Sequence, residues 1–252
     1  MAALETNRTP VEEAVVRSFV DLRAFADREK TAVPMAWDAG QDRFLVCRRQ
    51  LDLPAGPVTG GVLRLSPGAG NVEAMPADEF LIVHEGTLTL ESGERSLVLD
   101  AGASVVLTRG TRIAWSAEAP VTLLFLRRSG GPADVAAMIA IDETAALAPS
   151  GAPLAELLVG PTPSCRNHSD YRSPDGEFVC GTWDSTPYHR LTMLYRHFEL
   201  MHLLEGSVTF VDGAGRQAIF SKGDIFLVEQ GAHCSWDSRE HVKKVYAIYR
   251  PA

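Results

Sequence analysis

Residues 180–213, CGTWDSTPYHRLTMLYRHFELMHLLEGSVTFVDG, followed at 221–236 by SKGDIFLVEQGAHCSW, decide how this chain folds. Short blocks of β-branched, aromatic and leucine residues are broken by turn residues, the pattern of strand, turn and strand repeated. Six residues separate Glu199 from Gly206, and seven separate Gly223 from Gly231. The same cadence stands earlier in the chain. An offset of 120 places Glu79 on Glu199, Gly86 on Gly206, Gly61 on Gly181 and Ser66-Pro67 on Thr186-Pro187. One extra residue in the tip GAGR, against GER earlier, moves the offset to 121, and Gly102, Gly110 and Trp115 then fall on Gly223, Gly231 and Trp236. Matches on both sides of a one-residue insertion read as an internal duplication, so the chain is expected to be two copies of one β unit.

A length of 252 residues accommodates two such units. The expected division is a helix and lead-in over 1–41, a first β unit over 42–129, a connection over 130–164 and a second β unit over 165–252. With 46% hydrophobic residues, 22% charged and a net charge of −8, the composition is that of a globular protein with a real core. The negative sign argues against nucleic acid or an anionic membrane as partner, because both select a basic face. The opening MAALETNRTP has no apolar signal core, and no window nears the ~18 apolar residues that a membrane span needs. Cys47, Cys165, Cys180 and Cys234 form no CxxC pair and read as free thiols. The expected location is the cytoplasm.

Residues 9–28 carry the one long helical pattern. Thr9 suits an N-cap, Pro10 the first turn, and Glu12 and Glu13 the positive end of the helix dipole. Val11, Val15, Phe19, Leu22 and Phe25 mark one apolar face, so this helix is expected to lie across a sheet or a barrel mouth. From Asp42 the period turns toward two, in FLVCRRQL, GGVLRL, FLIVHEGTLTLE, RSLVLD, SVVLT and VTLLFLRR. The glycine-bearing tips between these runs predict an antiparallel sandwich or barrel joined by hairpins rather than crossovers. The Gly-, Pro- and Ser-rich connection is too long to stay structureless, and part of it is expected to add a strand to one unit.

EFLIVHEG and ELMHLLEG resemble the first motif of the cupin superfamily, and GASVVLTRG and GDIFLVEQG resemble its second. GTWDSTP, HLLEGSVTFVDGAGR and CSWDS…VKKVYAIY are similar to the subgroup of (S)-ureidoglycine aminohydrolase-like domains. The resemblance implies an all-β bicupin: two tandem double-stranded β-helix (RmlC-like jelly-roll) barrels, each with a small interior cavity. Metal-binding members supply a His-x-His before the motif glutamate and a third His after the second-motif glycine. Here Met193 and Tyr195 stand where the pair would be, Cys234 takes the late position, and Glu229 stands where proline is usual. In the first copy no histidine precedes Glu79 and the late position is Ile113. The usual three-His, one-Glu set is therefore absent from both copies.

Six of the seven histidines lie in the second half, which makes it the expected place for any chemistry. Glu199, in an apolar strand, must be paired, exposed or functional, because an unpaired buried carboxylate is costly. Glu79 is read as structural. His202 lies three residues past Glu199, on the opposite strand face, and is not its partner. His197 has the right parity to join Glu199 and Cys234 in an improvised site, since Zn²⁺ accepts N, O and S ligands. The plainer alternative makes His197 a hairpin cap and Cys234 a small buried hydrophobe. Trp183, Tyr195 and Trp236 are either cavity wall or barrel core. Arg190, with Arg166, Arg172 and Arg196, either binds a carboxylate ligand or is solvated surface.

Two functions stay open at this stage. One is a hydrolytic or deaminating enzyme acting on a polar carbonyl or imine metabolite, with Glu199, His197 and Cys234 catalytic and Trp183, Tyr195, Arg190 and Trp236 binding. The other is a non-catalytic binding or sensing protein that has lost its metal site. No cofactor is assigned, with a divalent metal in the second barrel as the open case, and apolar outer faces suggest a homodimer.

Overall fold

The computed structural model describes residues 16–28, 33–34 and 42–252. Numbered along the chain, strand β1 (Val20–Asp21) and helix α1 (Leu22–Asp27) come first. The first barrel then uses β2 (Val33–Pro34), α2 (Arg43–Val46), β3 (Arg48–Gln50), β4 (Val58–Leu65), β5 (Gly68–Val72), β6 (Asp78–Glu85), β7 (Leu88–Ser92), β8 (Arg95–Leu99), β9 (Ser104–Leu107), β10 (Ile113–Ala117), β11 (Val121–Arg128) and β12 (Met138–Ala140). The second uses β13 (Ala148–Ser150), β14 (Cys165–Arg172), β15 (Phe178–Ser185), β16 (Tyr188–Leu194), β17 (Phe198–Glu205), β18 (Ser207–Val211), β19 (Gln217–Ser221), β20 (Ile225–Val228), β21 (His233–Ser238) and β22 (Val242–Tyr249).

Each barrel is a seven-stranded sheet facing a four-stranded one. The orders are β12-β9-β6-β11-β4-β3-β2 with β5-β10-β7-β8, and β1-β20-β17-β22-β15-β14-β13 with β16-β21-β18-β19. From β3 to β11 and from β14 to β22 the two orders correspond strand for strand. The protein is nearly all-β, two tandem barrels of one topology, as the alternating runs and the internal duplication lead one to expect. Hairpins join only some neighbours, such as β7 to β8 and β14 to β15. Most consecutive strands instead alternate between the two sheets, which closes each roll and leaves fewer free edges. The connection supplies a strand to both barrels, β12 to the first and β13 to the second.

The expected helix over 9–28 is corrected where it falls on described residues; 9–15 lie outside them. Only Leu22–Asp27 are helical, capped by the Asp21 side chain, which accepts from the backbone N–H groups of Arg23 (2.9 Å) and Ala24 (3.1 Å). Ahead of that cap, Val20 and Asp21 pair with Leu227 and Phe226 at the edge of β20. Phe19 packs its ring 6.1 Å from Phe210 and 6.3 Å from Phe220. Edge pairing and aromatic packing thus satisfy, in an extended segment, the apolar residues that were read as a helix face. Val20 and Asp21 add an edge strand to the large sheet of the second barrel.

The outer faces of the two large sheets pack on one another and on α1. Their shared core holds Phe80, Ile82 and Leu124 of the first barrel and Phe178, Leu200 and Ala247 of the second. Arg128 crosses the seam to Asp175 and to Glu177 (3.0 Å). The apolar outer faces of these two sheets are therefore covered within one chain. Among the described residues no helix is long and apolar enough to cross a membrane.

Candidate functional site

Strand β17 is buried along nearly its whole length, and its alternate residues serve two different cores. Leu200 faces the other barrel, while Met201 and Leu203 face the second barrel's interior. Glu199 shares the inward parity. Its Oε1 accepts from Lys244 Nζ at 2.7 Å, and its Oε2 lies 3.2 Å from His197 Nε2. Burial alone would raise this carboxyl, but the Lys244 charge and the His197 contact outweigh it and hold Glu199 well below the usual carboxylate range.

Lys244 comes from β22, is itself buried, and also reaches Met201 Sδ at 3.2 Å. Its ammonium lies 4.7 Å from the centre of the Trp183 ring and 5.0 Å from that of Trp236, within range for cation–π attraction. Trp236 stacks on Tyr188 at 5.7 Å and meets Trp183 edge-on. Across the cavity Arg190 donates through one terminal nitrogen to the Tyr195 hydroxyl (3.3 Å) and to the Cys234 carbonyl (3.1 Å). The Arg190 Nε is buried with no hydrogen-bond partner.

These groups line one cavity of about 790 Å³. Glu199, Lys244, Arg190, Tyr195 and Trp236 are buried and form its deep part, whereas Leu154, Arg172 and Arg250 are exposed and lie at its rim. Of the residues singled out in the sequence, Glu199, His197, Trp183, Tyr195, Arg190 and Trp236 meet here. Cys234 does not join them: its side chain sits in the aromatic core, fully buried, and burial pushes its thiol up to about 12 despite nearby Arg190. Such a thiol is neither a ready nucleophile nor a ready ligand. Arg166 pairs with Asp184 on the outside, and His202 points toward the first barrel, where its ring approaches Gly102. Lys244, Tyr188 and Tyr246 were missed. A lysine inside the apolar run VKKVYAIY was the available signal, obscured because Lys243 beside it has the opposite parity.

The metal site of metal-binding cupins does not fit these residues. Met193, Tyr195 and Cys234 stand at the histidine positions, and the motif glutamate is already bonded to an ammonium. Among the described residues no group of three His, Cys, Asp or Glu side chains is placed to hold an ion. In the first barrel, Glu79 accepts from Arg48 (2.6 Å) on one oxygen and from Arg127 on the other, all three fully buried. Glu79 is a structural carboxylate, held low against burial by its two arginines.

Residues 172–246 match the EutQ-like cupin domain. A cupin 2 conserved barrel domain protein from Leptotrichia buccalis shares the fold at 11% identity, with a TM-score of 0.56 over 96% of this chain and 99% of that one. So does a salicylate 1,2-dioxygenase from Pseudaminobacter salicylatoxidans, at 12% identity and a TM-score of 0.53 over 94% and 85%. No protein of curated function matches the chain. A protein of unknown function from Pseudomonas syringae pv. tomato, assigned to the DUF861 family, is 33% identical, with a TM-score of 0.80 over 87% of this chain and 93% of that one. With that identity spanning both barrels, the chain belongs to the same cupin family as the Pseudomonas protein.

Proposed function

We propose that this two-barrel cupin binds a small organic anion in the cavity of its second barrel. The observation that carries this reading is the charge of the cavity. Arg172, Arg190, Lys244 and Arg250 face it against only Glu177 and Glu199. Glu177 is moreover committed to Arg128, so the local balance is positive in a chain of net charge −8. A positive, partly dry recess concentrates anions, and a guanidinium offers carboxylates a forked pair of donors. Trp183, Tyr188 and Trp236 supply an aromatic wall for the rest of the molecule. The same proposal takes residues 42–129 as a supporting unit and 165–252 as the binding unit.

A catalytic version rests on the contact between His197 and Glu199. Glu199, so strongly held as an anion, is a poor proton acceptor near neutrality. His197 is then the proton carrier for a hydrolytic or deaminating step at a carbonyl or imine, and Glu199 fixes its ring. Thermal unfolding in the presence of formate, acetate, oxalate and aromatic carboxylates tests the binding reading. Stabilisation by at least one, lost in Arg190→Met, supports it; no response to any of them overturns it. Release of ammonia or of a hydrolysed product from a bound compound, abolished in His197→Gln with binding retained, distinguishes the enzyme from the binding protein.

A further inference from the structure

We propose that the Lys244 ammonium is the resident cation of the second barrel, standing where metal-binding cupins place a divalent ion and offering an N–H to the ligand's oxyanion. The second half of this inference rests on the anion-binding reading above; the first half stands on geometry alone.

Three features hold the charge in place. Lys244 Nζ meets Glu199 Oε1 at 2.7 Å, the motif carboxylate that would otherwise ligate a metal. The Trp183 and Trp236 faces at 4.7 and 5.0 Å favour a cation over a neutral amine. The Met201 sulfur, 3.2 Å from the same nitrogen, is the third. A divalent ion on Glu199 would sit within a few ångströms of this ammonium, where like charges repel strongly in a buried site. The neighbouring positions also offer poor ligands, because the Tyr195 hydroxyl already accepts from Arg190 and Cys234 is enclosed in the aromatic core.

An ammonium has three N–H donors, and two are used, on Glu199 and on Met201. No oxygen or nitrogen acceptor meets the third, and Lys244 lines the cavity. The unpartnered Nε of Arg190, buried in the wall of the same cavity, is a second unused donor. Two cationic side chains with donors to spare thus line one recess, the arrangement that a carboxylate or other oxyanion satisfies. The first barrel adopts a closed version of this solution: its motif glutamate carries two arginines, one on each oxygen. Protein cations occupy the motif carboxylate in both barrels, and the second barrel alone pairs this with the cavity described here.

The test uses the purified full chain. Titration calorimetry with Mn²⁺, Zn²⁺ and Ni²⁺, and separately with formate, acetate and oxalate in the presence and absence of chelator, is carried out on wild type, Lys244→Met, Lys244→Arg and the double variant Glu199→Gln/Lys244→Met. The double variant removes both charges together and guards against misfolding of the single one. Expected are no metal binding to wild type and anion binding indifferent to chelator. Lys244→Met and the double variant should lose about tenfold or more in anion affinity, as for a lost charge-assisted hydrogen bond, while Lys244→Arg retains part of it. A divalent ion bound by wild type and lost in the double variant overturns the resident cation and leaves the cavity reading intact. Anion binding unchanged in both Lys244 variants lacking the charge overturns the ligand contact alone. Absence of anion binding in wild type overturns the cavity reading and, with it, that contact.

Discussion

Gly61 and Gly181 hold the same place in the two barrels: a Cβ on Gly61 would lie 2.0 Å from the Arg49 carbonyl oxygen, and one on Gly181 would lie 2.0 Å from that of His168. In each case the glycine sits on the strand beside a backbone that approaches too closely for any side chain, β3 against β4 and β14 against β15. Gly61→Ala and Gly181→Ala should each therefore push two paired strands apart. The expected cost is about 1–3 kcal/mol apiece, the usual range for overpacking a tight contact. Urea unfolding measures it, and a neutral result at either site would contradict the close approach.

Glu79→Gln should unfold the first barrel far more readily than a surface change would. It leaves the fully buried Arg48 and Arg127 without their carboxylate. Breaking a buried ion pair from one side costs about 3–5 kcal/mol. Equilibrium unfolding monitored by tryptophan fluorescence reads this as a lowered midpoint. Binding in the second barrel should persist under conditions where the variant remains folded.

Much of this architecture was legible before any coordinates. Glycine spacing around Glu79 and Glu199 pointed to repeated β units because tight approaches such as those at Gly61 and Gly181 admit nothing larger. Parity joined His197 to Glu199 but also to Cys234, which lies in the aromatic core, while Trp183, Tyr195 and Trp236 were left between cavity wall and core and Arg190 between ligand contact and surface. Lys244 could not be singled out, since β22 is buried on both sides and alternation no longer separates inside from outside. The segment before Asp21 misled for a different reason. Its apolar spacing fits a helix, but its structure is decided by β20, some 200 residues away. No local pattern reports such a distant partner.

His202 should make the protein acid-sensitive. Burial first, and then the Arg23 charge, lower its pKa from 6.5 to about 4, with Asp224 opposing in part. The unfolded chain takes up the proton at higher pH than the folded one, so this contribution is present above about 6.5 and is lost as pH falls toward 4. The loss amounts to about 3 kcal/mol at most. Below about 4.5, Glu199 and Glu79, whose folded values are depressed, add further losses in the same direction. The difference in stability between wild type and His202→Leu, followed from pH 7 to 4, should show the His202 slope; a constant difference refutes it.

Thiol chemistry should separate Cys47 from the rest. Cys165, Cys180 and Cys234 are buried, and burial raises all three, while Cys47 is only half-buried. Brief alkylation of the native protein, read by peptide mass spectrometry, should label Cys47 first and the others only on unfolding. Rapid native labelling of Cys234 would restore it to the list of reactive groups.

Arg17→Ala should loosen the N-terminal segment. It deprives Glu229, which is completely buried, of bonds from the Arg17 side chain (2.7 Å), leaving only that from the backbone N–H (2.9 Å). Because Arg17 is itself about one-third exposed, the expected cost is only about 1–3 kcal/mol. Hydrogen exchange should accelerate at Val20 and Asp21 before it does in β17.

The seat of that segment also has a consequence for how the chain is made. Arg17 binds Glu229, Ser18 binds Asp212 (3.0 Å), and Val20 pairs with Leu227. Docking of residues 17–20 thus waits for partners about 200 residues later in the chain. Until then the edge of β20 and the rings of Phe210 and Phe220 lack their cover. A chain interrupted before residue 212 would therefore carry residues 17–20 with none of these partners, beside a first barrel whose strands β3 to β11 are all in place.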